Sequence, residues 1–324
     1  MNVLFKCDKS KNIGLGHFYR CAALAQIFKK NGHKCYFLGL KLGIKKKNVL
    51  NIKDQEKDIK FTNHFIKKKN IKVVVKDIYS LNFKWEKKIA NNAFLVVIDD
   101  YNSEEHYCNL YINYHYNWFK KANNNLLTKK NCKKMIGPEF SILRDLKIIK
   151  KIKTKNSTIF VYMGGADKKM FMFKIMKLLQ NKKLDNHKKI FLLNENHIKS
   201  NMLAKLEKKF INTKILKNKI KNFHQYLFSS DLVISSAGLT MYEQIALNSN
   251  SLIISQNNLQ NKIANLLAKK KVINFTQNIE NLNYKIINKL LIKRKINKKN
   301  LINKNGKYLV YKSIISDYNK NLKQ

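Results

Sequence analysis

Short apolar runs rich in valine, isoleucine, leucine and phenylalanine recur along the first half of the chain: "NVLFKC", "KCYFLGL", "IKVVVK", "AFLVVID" and "NLYIN". Stretches of amphipathic, helix-like spacing separate them, so the pattern predicts alternating strands and helices. After a lysine-rich stretch near residues 147–156 the pattern restarts with "STIFVYMGG", "KKIFLLN", "TKIL", "DLVISS" and "SLIIS". Runs that are apolar on both faces suit parallel strands covered by helices on either side. The 324 residues also exceed one typical core. The expectation is an α/β protein of two Rossmann-like, doubly wound domains, residues 1–152 and 153–324. The final stretches "NLNYKIINKLLIK" and "GKYLVYKSIISDY" read as two helices that complete the second domain.

The segment "NIGLGHFYRC" places Gly14 and Gly16 just before His17, where the first strand gives way to a helix. Cys21, Leu24, Ala25 and Phe28 follow at i, i+3, i+4 and i+7, and Gly32 is placed as the helix stop. His17 therefore falls at a helix N-terminus, beside a loop whose glycines bring backbone amides close to a ligand. The third glycine of the dinucleotide fingerprint is absent and no acidic residue ends the second strand at "FLGL", which argues against NAD.

In the second half, "MGGADKK" carries Gly164 and Gly165 after a strand, and "SSAGLTMYEQIAL" sets Ser235, Ser236, Ala237 and Gly238 between a strand and a helix. Small residues expose amides, and a helix starting near Leu239 or Thr240 adds partial positive charge, a combination able to hold a pyrophosphate. Glu243, a turn into that helix, is placed to meet a ribose diol.

Composition adjusts this picture in three ways. No apolar run reaches the ~20 residues of a membrane helix, and the start "MNVLFKCDKS" is too polar for an export signal, so a cytoplasmic protein is expected. The five cysteines include no CxxC pair, which suggests reduced thiols and neither disulfide framework nor zinc site. The net charge of +46 is nearly all lysine, with Arg20, Arg144 and Arg294 the only arginines, whereas nucleic-acid readers lean on arginine. Abundant lysine, asparagine and isoleucine is the signature of A/T-rich codons. No specific nucleic-acid partner is expected, and a lysine-rich polyanion-binding protein is kept as an alternative of another class.

Taken together these stretches resemble the UDP-2,4-diacetamido-2,4,6-trideoxy-β-L-altropyranose hydrolases of pseudaminic acid biosynthesis, relatives of the GT-B nucleotide-sugar glycosyltransferases. "CDKSKNIGLGHFYRCAALA", "KDIYSLN", "VIDDY", "GPEFSILRDL", "VYMGGAD", "ISSAGLTMYEQIAL" and "LQNKIANLLAKKK" carry the resemblance along nearly the whole chain. It implies a GT-B fold with two domains facing a cleft, a catalytic histidine at His17, an active-site tyrosine at Tyr79, and a second domain that binds UDP. Asp8 and Tyr79 are the expected neighbours of His17. The expected UDP and sugar contacts are Gly14, Gly16, Arg20, Gly164, Gly165, Asp167, Ser236, Ala237, Gly238, Thr240, Glu243, Asn258 and Gln260. Two departures stand out: Leu259 replaces an asparagine of the family's "NQ" segment, and Ile78 stands where histidine is frequent.

The implied reaction is hydrolysis of a UDP-linked diacetamido-trideoxy hexose with inversion at C1. Glycosidases ordinarily use two carboxyl groups. A UDP leaving group departs as a weakly basic anion that amides and a helix N-terminus can stabilise, so a single base suffices. Imidazole suits that role because it titrates near neutral pH. Asp99 and Asp100 are adjacent on a strand and should face opposite ways, a poor chelate; neither metal nor cofactor is expected, and the protein is expected to be a monomer. A GT-B glycosyltransferase using a UDP-amino sugar is the alternative.

Overall fold

A computed structural model describes residues 1–7, 15–39, 52–101, 104–115, 131–146, 156–164, 169–193, 207–217, 222–292 and 301–322, together with residues 128, 167, 202, 205 and 220. The chain divides into two compact units, the first built mainly from the first strand, His17–Arg144 and Asn303–Gln324, the second mainly from Asp145–Ile302.

In the first unit, strands β1 (Asn2–Cys7), β2 (Lys34–Leu38), β3 (Ile71–Asp77), β4 (Phe94–Ile98), β5 (Leu110–Asn113) and β6 (Lys133–Ile136) form one sheet, order β2-β1-β3-β4-β5-β6. Every pairing in it is parallel. Alternate strand residues feed two cores, as a sheet buried on both faces requires. Val3, Phe5, Val73 and Val75 meet Cys21, Leu24 and Phe28 of α1 (Gly16–Lys30). On the other face Leu4, Val74, Leu95 and Val97 pack with Trp85 and Ile89 of α3 (Phe83–Ala90) and Ile66 of α2 (Ile52–Lys69). Gly32, just past α1, has φ +77°, the left-handed conformation that suits a helix stop.

The final helix does not complete the second unit, as the sequence pattern suggests. Helix α9 (Gly306–Asn321) buries Val310 and Ile314 in the α1-side core of the first sheet. Tyr311 packs edge-on against Phe28 at 4.9 Å between centroids. Both ends of the described chain thus close one unit. A Cβ at Gly306 would lie 2.5 Å from the Ser141 carbonyl oxygen and 2.7 Å from that of Glu139, both backbone atoms. Gly306→Ala is therefore expected to lower stability by about 1–3 kcal/mol, read as a lower urea midpoint; an unchanged midpoint would mean that this seat is not tight.

The second unit holds β7 (Thr158–Tyr162), β8 (Lys188–Leu193), β9 (Thr213–Lys217), β10 (Leu232–Ser236), β11 (Ser251–Ile254) and β12 (Asn274–Thr276), all parallel, order β12-β11-β10-β7-β8-β9. Among the described residues its helices are α4 (Phe171–Leu178), α5 (Phe223–Ser229), α6 (Leu239–Ala246), α7 (Asn258–Lys269) and α8 (Tyr284–Ile292). Ile159, Val161, Ile234 and Ile254 pack with α4 and α8 on one face; Phe160, Ile190 and Val233 pack with Phe223 and Leu227 of α5 on the other.

Both orders reverse direction once at an interior position, between β1 and β3 in the first sheet and between β7 and β10 in the second. In open parallel sheets, ligands bind outside the carboxyl ends of the strands at such a reversal. Those two places are where the polar residues gather. Among the described residues no helix is long and apolar enough to cross a membrane.

Candidate functional site

At the reversal of the first sheet, β3 ends on Asp77 and the helix after β1 begins with His17 in its first turn. His17 Nδ1 lies 2.6 Å from Asp77 Oδ1, and the imidazole retains 12% side-chain exposure. Arg20, one turn further along α1, donates to both oxygens of the same carboxylate, from Nε to Oδ2 and from Nη2 to Oδ1, each at 2.5 Å. Its Nη1 donates to Asp100 Oδ1 at 2.7 Å and to the Tyr114 hydroxyl at 2.8 Å. Asp100 also accepts from the Tyr79 hydroxyl and lies 3.1 Å from His115 Nε2.

One guanidinium thus faces two buried carboxylates. Burial alone would raise the Asp77 carboxyl, but Arg20 and His17 overcome it and hold it at about 2. Burial likewise opposes ionisation of Asp100, and Arg20 and His115 hold it well below the usual carboxylate range. With Asp77 ionised, the short contact to His17 is a donation from Nδ1–H, since a carboxylate only accepts. The 3.1 Å approach of Arg20 Nη2 to Nδ1 follows from both groups sharing Oδ1. Asp77 therefore fixes the imidazole tautomer with its lone pair on Nε2, the arrangement a general base needs.

Tyr79 stands where the sequence puts it, edge-on to His17 at 4.8 Å between centroids. Burial first, and then Asp100, push its phenol well above the ordinary tyrosine range, so it stays protonated. Arg20, expected to contact substrate, is 3% exposed and its donors are committed to Asp77, Asp100 and Tyr114; it is a bridge inside the unit. The sequence alone does not single out Asp77, Tyr114 or His115, and it brings in Asp100 only as half of a poor chelate. The available signal is an acidic residue closing each apolar strand, "VVVKD" and "VVIDD", at the edge of a parallel sheet where ligands bind. Asp8 and Gly14 lie outside the described residues. Gly16 opens α1, with nothing within 4 Å of where a Cβ would sit.

Asp99 and Asp100 lie just past β4 and not on it; Asp99 turns away from Asp100 and joins a separate buried cluster. It accepts from the Tyr111 hydroxyl at 2.7 Å and lies 3.7 Å from His106 Nε2. His106 Nδ1 meets Glu86 Oε1 at 2.9 Å, and Lys76 Nζ donates to the same oxygen at 2.5 Å. Burial would lower the His106 imidazole, yet Asp99 and Glu86 together raise it to about 9. An unfolded histidine titrates near 6.5, so the added stability is complete below that pH and is lost as pH climbs through 9. On the order of 3 kcal/mol should disappear across this window. Urea midpoints measured from pH 6 to pH 10 should fall more steeply in the wild type than in His106→Gln; parallel curves would show that His106 is not held charged.

In the second unit the two glycine-bearing turns do meet. Gly164, at φ +82°, follows β7 by two residues, and a Cβ there would lie 3.2 Å from Ser236 Oγ at the end of β10. Ser236 and Ala237 are buried, Gly238 is the N-cap of α6 with open space where a Cβ would stand, and Thr240 lies in the first turn. Gly165 lies outside the described residues. Glu243 is fully buried, with Oε1 3.4 Å from His224 Nε2 of α5, a neighbour that no sequence motif announces.

The other expected contacts hold the scaffold. Asp167 accepts from the amides of Phe171 and Met172 at 2.9 and 2.8 Å, capping α4; its carboxylate would repel a phosphate. Asn257, not Asn258, caps α7 by accepting from the Gln260 amide at 2.9 Å, and Gln260 Oε1 accepts from the Gln256 amide at 2.9 Å. Asn258 is exposed at the start of that helix. Leu259 thus lies in the first turn of α7, between its cap and Gln260.

No family model matches the chain. An uncharacterized protein of Methanocaldococcus jannaschii is 27% identical over 289 residues, which cover 80% of this chain and 57% of that protein, so the chain spans little more than half the length of this relative. MurG of Acinetobacter baumannii superimposes with a TM-score of 0.65 at 11% identity, covering 97% of this chain and 99% of that one. MnaA of S. aureus, solved with UDP, gives 0.61 at 12% identity over 99% and 97%. The glycosyltransferase SnogD of Streptomyces nogalater gives 0.59 at 10% identity over 100% and 98%. The fold is GT-B, two Rossmann-like domains each built on a six-stranded parallel sheet.

Proposed function

We propose that this chain hydrolyses a UDP-linked amino sugar, with His17 as the base that activates water. The observation that carries the reading is the 2.6 Å contact of Nδ1 with Asp77, which leaves Nε2 as the nitrogen that accepts a proton. The base belongs to the first unit, and the turns able to hold a diphosphate belong to the second. Gly164, Ser236, Ala237 and Gly238 present amides and a helix N-terminus to the diphosphate. The GT-B fold, shared with an MnaA that was solved with UDP, supports a nucleotide-sugar ligand.

The step balances without a second carboxyl group. Water attacks C1 of the sugar as its proton passes to His17 Nε2. The C1–O bond breaks with its electron pair on the departing UDP, whose charge the amides of the second unit take up. The product is the free sugar with inverted configuration. Resemblance supplies the finer identity, a 2,4-diacetamido-2,4,6-trideoxy hexose of β-L-altro configuration, a small-molecule substrate of a soluble monomer.

The test is a proton NMR time course with that UDP-sugar in EDTA and no acceptor. Release of UDP together with the inverted free sugar supports the hydrolase. Release only after an acceptor sugar is added favours the transferase, and saturable binding of polyanions with no turnover favours the polyanion-binding reading. The carboxylate of Glu243, expected to meet a ribose, is buried against His224, so Glu243→Ala should weaken UDP binding through the support of α6; an unaltered affinity would remove Glu243 from the nucleotide site.

A further inference from the structure

The first unit contains a cavity of about 280 Å³ at the carboxyl ends of β3 and β4. Activation of water by His17 makes no use of it. Its walls include Ile78, Tyr79, Val97, Tyr101, Asp99 and His106. Tyr79 is shared between two places: it lines this cavity and packs edge-on against His17, while its ring also meets Tyr101 edge-on at 4.9 Å. A ligand within reach of His17 therefore has this cavity across one aromatic ring.

The polar side of the cavity is specific. His106 Nδ1 is taken by Glu86, but Nε2 reaches only to 3.7 Å from Asp99, longer than an ordinary hydrogen bond. Asp99 holds that donor at long range, and it remains able to share its proton with a second acceptor. The charges around it already balance, with Lys76 and His106 set against Glu86 and Asp99, and Glu104 adds a further negative charge at the exposed edge. An anionic guest would gain no net attraction, so the donor suits a neutral oxygen. Ile78 and Val97, both buried, offer an apolar wall for whatever carries that oxygen.

We infer that this cavity receives a neutral acyl group of the sugar, its carbonyl oxygen accepting from His106 Nε2 and its methyl resting on Ile78, Val97 and the Tyr101 ring. The inference rests on the nucleotide-sugar reading and names the part of the protein that selects the sugar. Ile78 contributes directly to the apolar wall, so the residue that departs from the family pattern helps shape the pocket. His106 acts here as a specificity residue and takes no part in the proton transfer.

The experiment uses the full chain and a UDP-2,4-diacetamido-2,4,6-trideoxyhexose labelled with carbon-13 at one acetyl carbonyl at a time, with unlabelled UDP titrated separately. One of the two carbonyl resonances should move downfield on binding and return toward its free position in His106→Gln. Tyr101→Ala, which removes a wall that is 41% exposed, should raise KM about tenfold while UDP affinity stays the same. It decides the matter if His106→Gln fails to fold. Carbonyls that do not move while UDP saturates the protein, or an unchanged KM in Tyr101→Ala, would overturn the acyl pocket and leave the nucleotide-sugar reading standing. Failure of UDP itself to bind would remove that reading, and the acyl pocket with it.

Discussion

His17→Asn is expected to lower turnover of the UDP-sugar by roughly 10²–10⁴-fold, the contribution a positioned general base makes, with UDP affinity unchanged. Asparagine can keep a donor toward Asp77 but has no nitrogen lone pair to accept a proton. Loss of the base should therefore appear in kcat and not in the dissociation constant of UDP, measured side by side on the same preparation. Turnover equal to the wild type would remove the assignment. Weakened UDP binding would instead mean that the imidazole grips the nucleotide.

The second large effect is on stability. Arg20→Met leaves Asp77 and Asp100 buried without the guanidinium that bridges them at 2.5 and 2.7 Å. Removing one partner of a buried ion pair costs about 3–5 kcal/mol, because the remaining charge stays desolvated. The urea midpoint should drop accordingly. The carboxyl of Asp77, held at about 2 beside Arg20 and His17, should then rise, bringing acid unfolding to a higher pH. A folded-state pKa depressed below the unfolded value of ~3.9 gives stability that is present above that value and lost as pH falls through the folded one. In the wild type this loss belongs between about pH 4 and pH 2. A variant as stable as the wild type would show that water already compensates the two carboxylates.

Much of this architecture is legible in the sequence because buried parallel strands write themselves as continuous apolar runs. All ten runs quoted above fall on strands, and each glycine-bearing motif that can be placed lies at a carboxyl strand end. Two strands escape, β6 (KKMI) and β12 (NFT), for one reason. Each is short, lies at a sheet edge and is at most half buried, so packing imposes no apolar pattern on it. The final helix is legible as a helix but not as part of the first unit, since its apolar stripe states that it packs and not on what.

The site is legible in outline. His17 and Tyr79 come together, but the groups that orient them, Asp77 at the end of β3 and Asp100 just past β4, meet only because the sheet order sets β3 and β4 side by side. Arg20, Asp167 and Gln260 carry the residue types of a phosphate or sugar site, yet their polar atoms are engaged in holding the scaffold. Residue type alone does not distinguish a polar group offered to a ligand from one used within the fold.

Attack of water at C1 can be followed by running the reaction in water enriched in oxygen-18 and locating the label by mass spectrometry. The expected result is label in the hydroxyl on C1 of the released sugar, none in UDP, and loss of this product in His17→Asn. Label in the phosphate of UDP would place the attack on phosphorus and contradict the account.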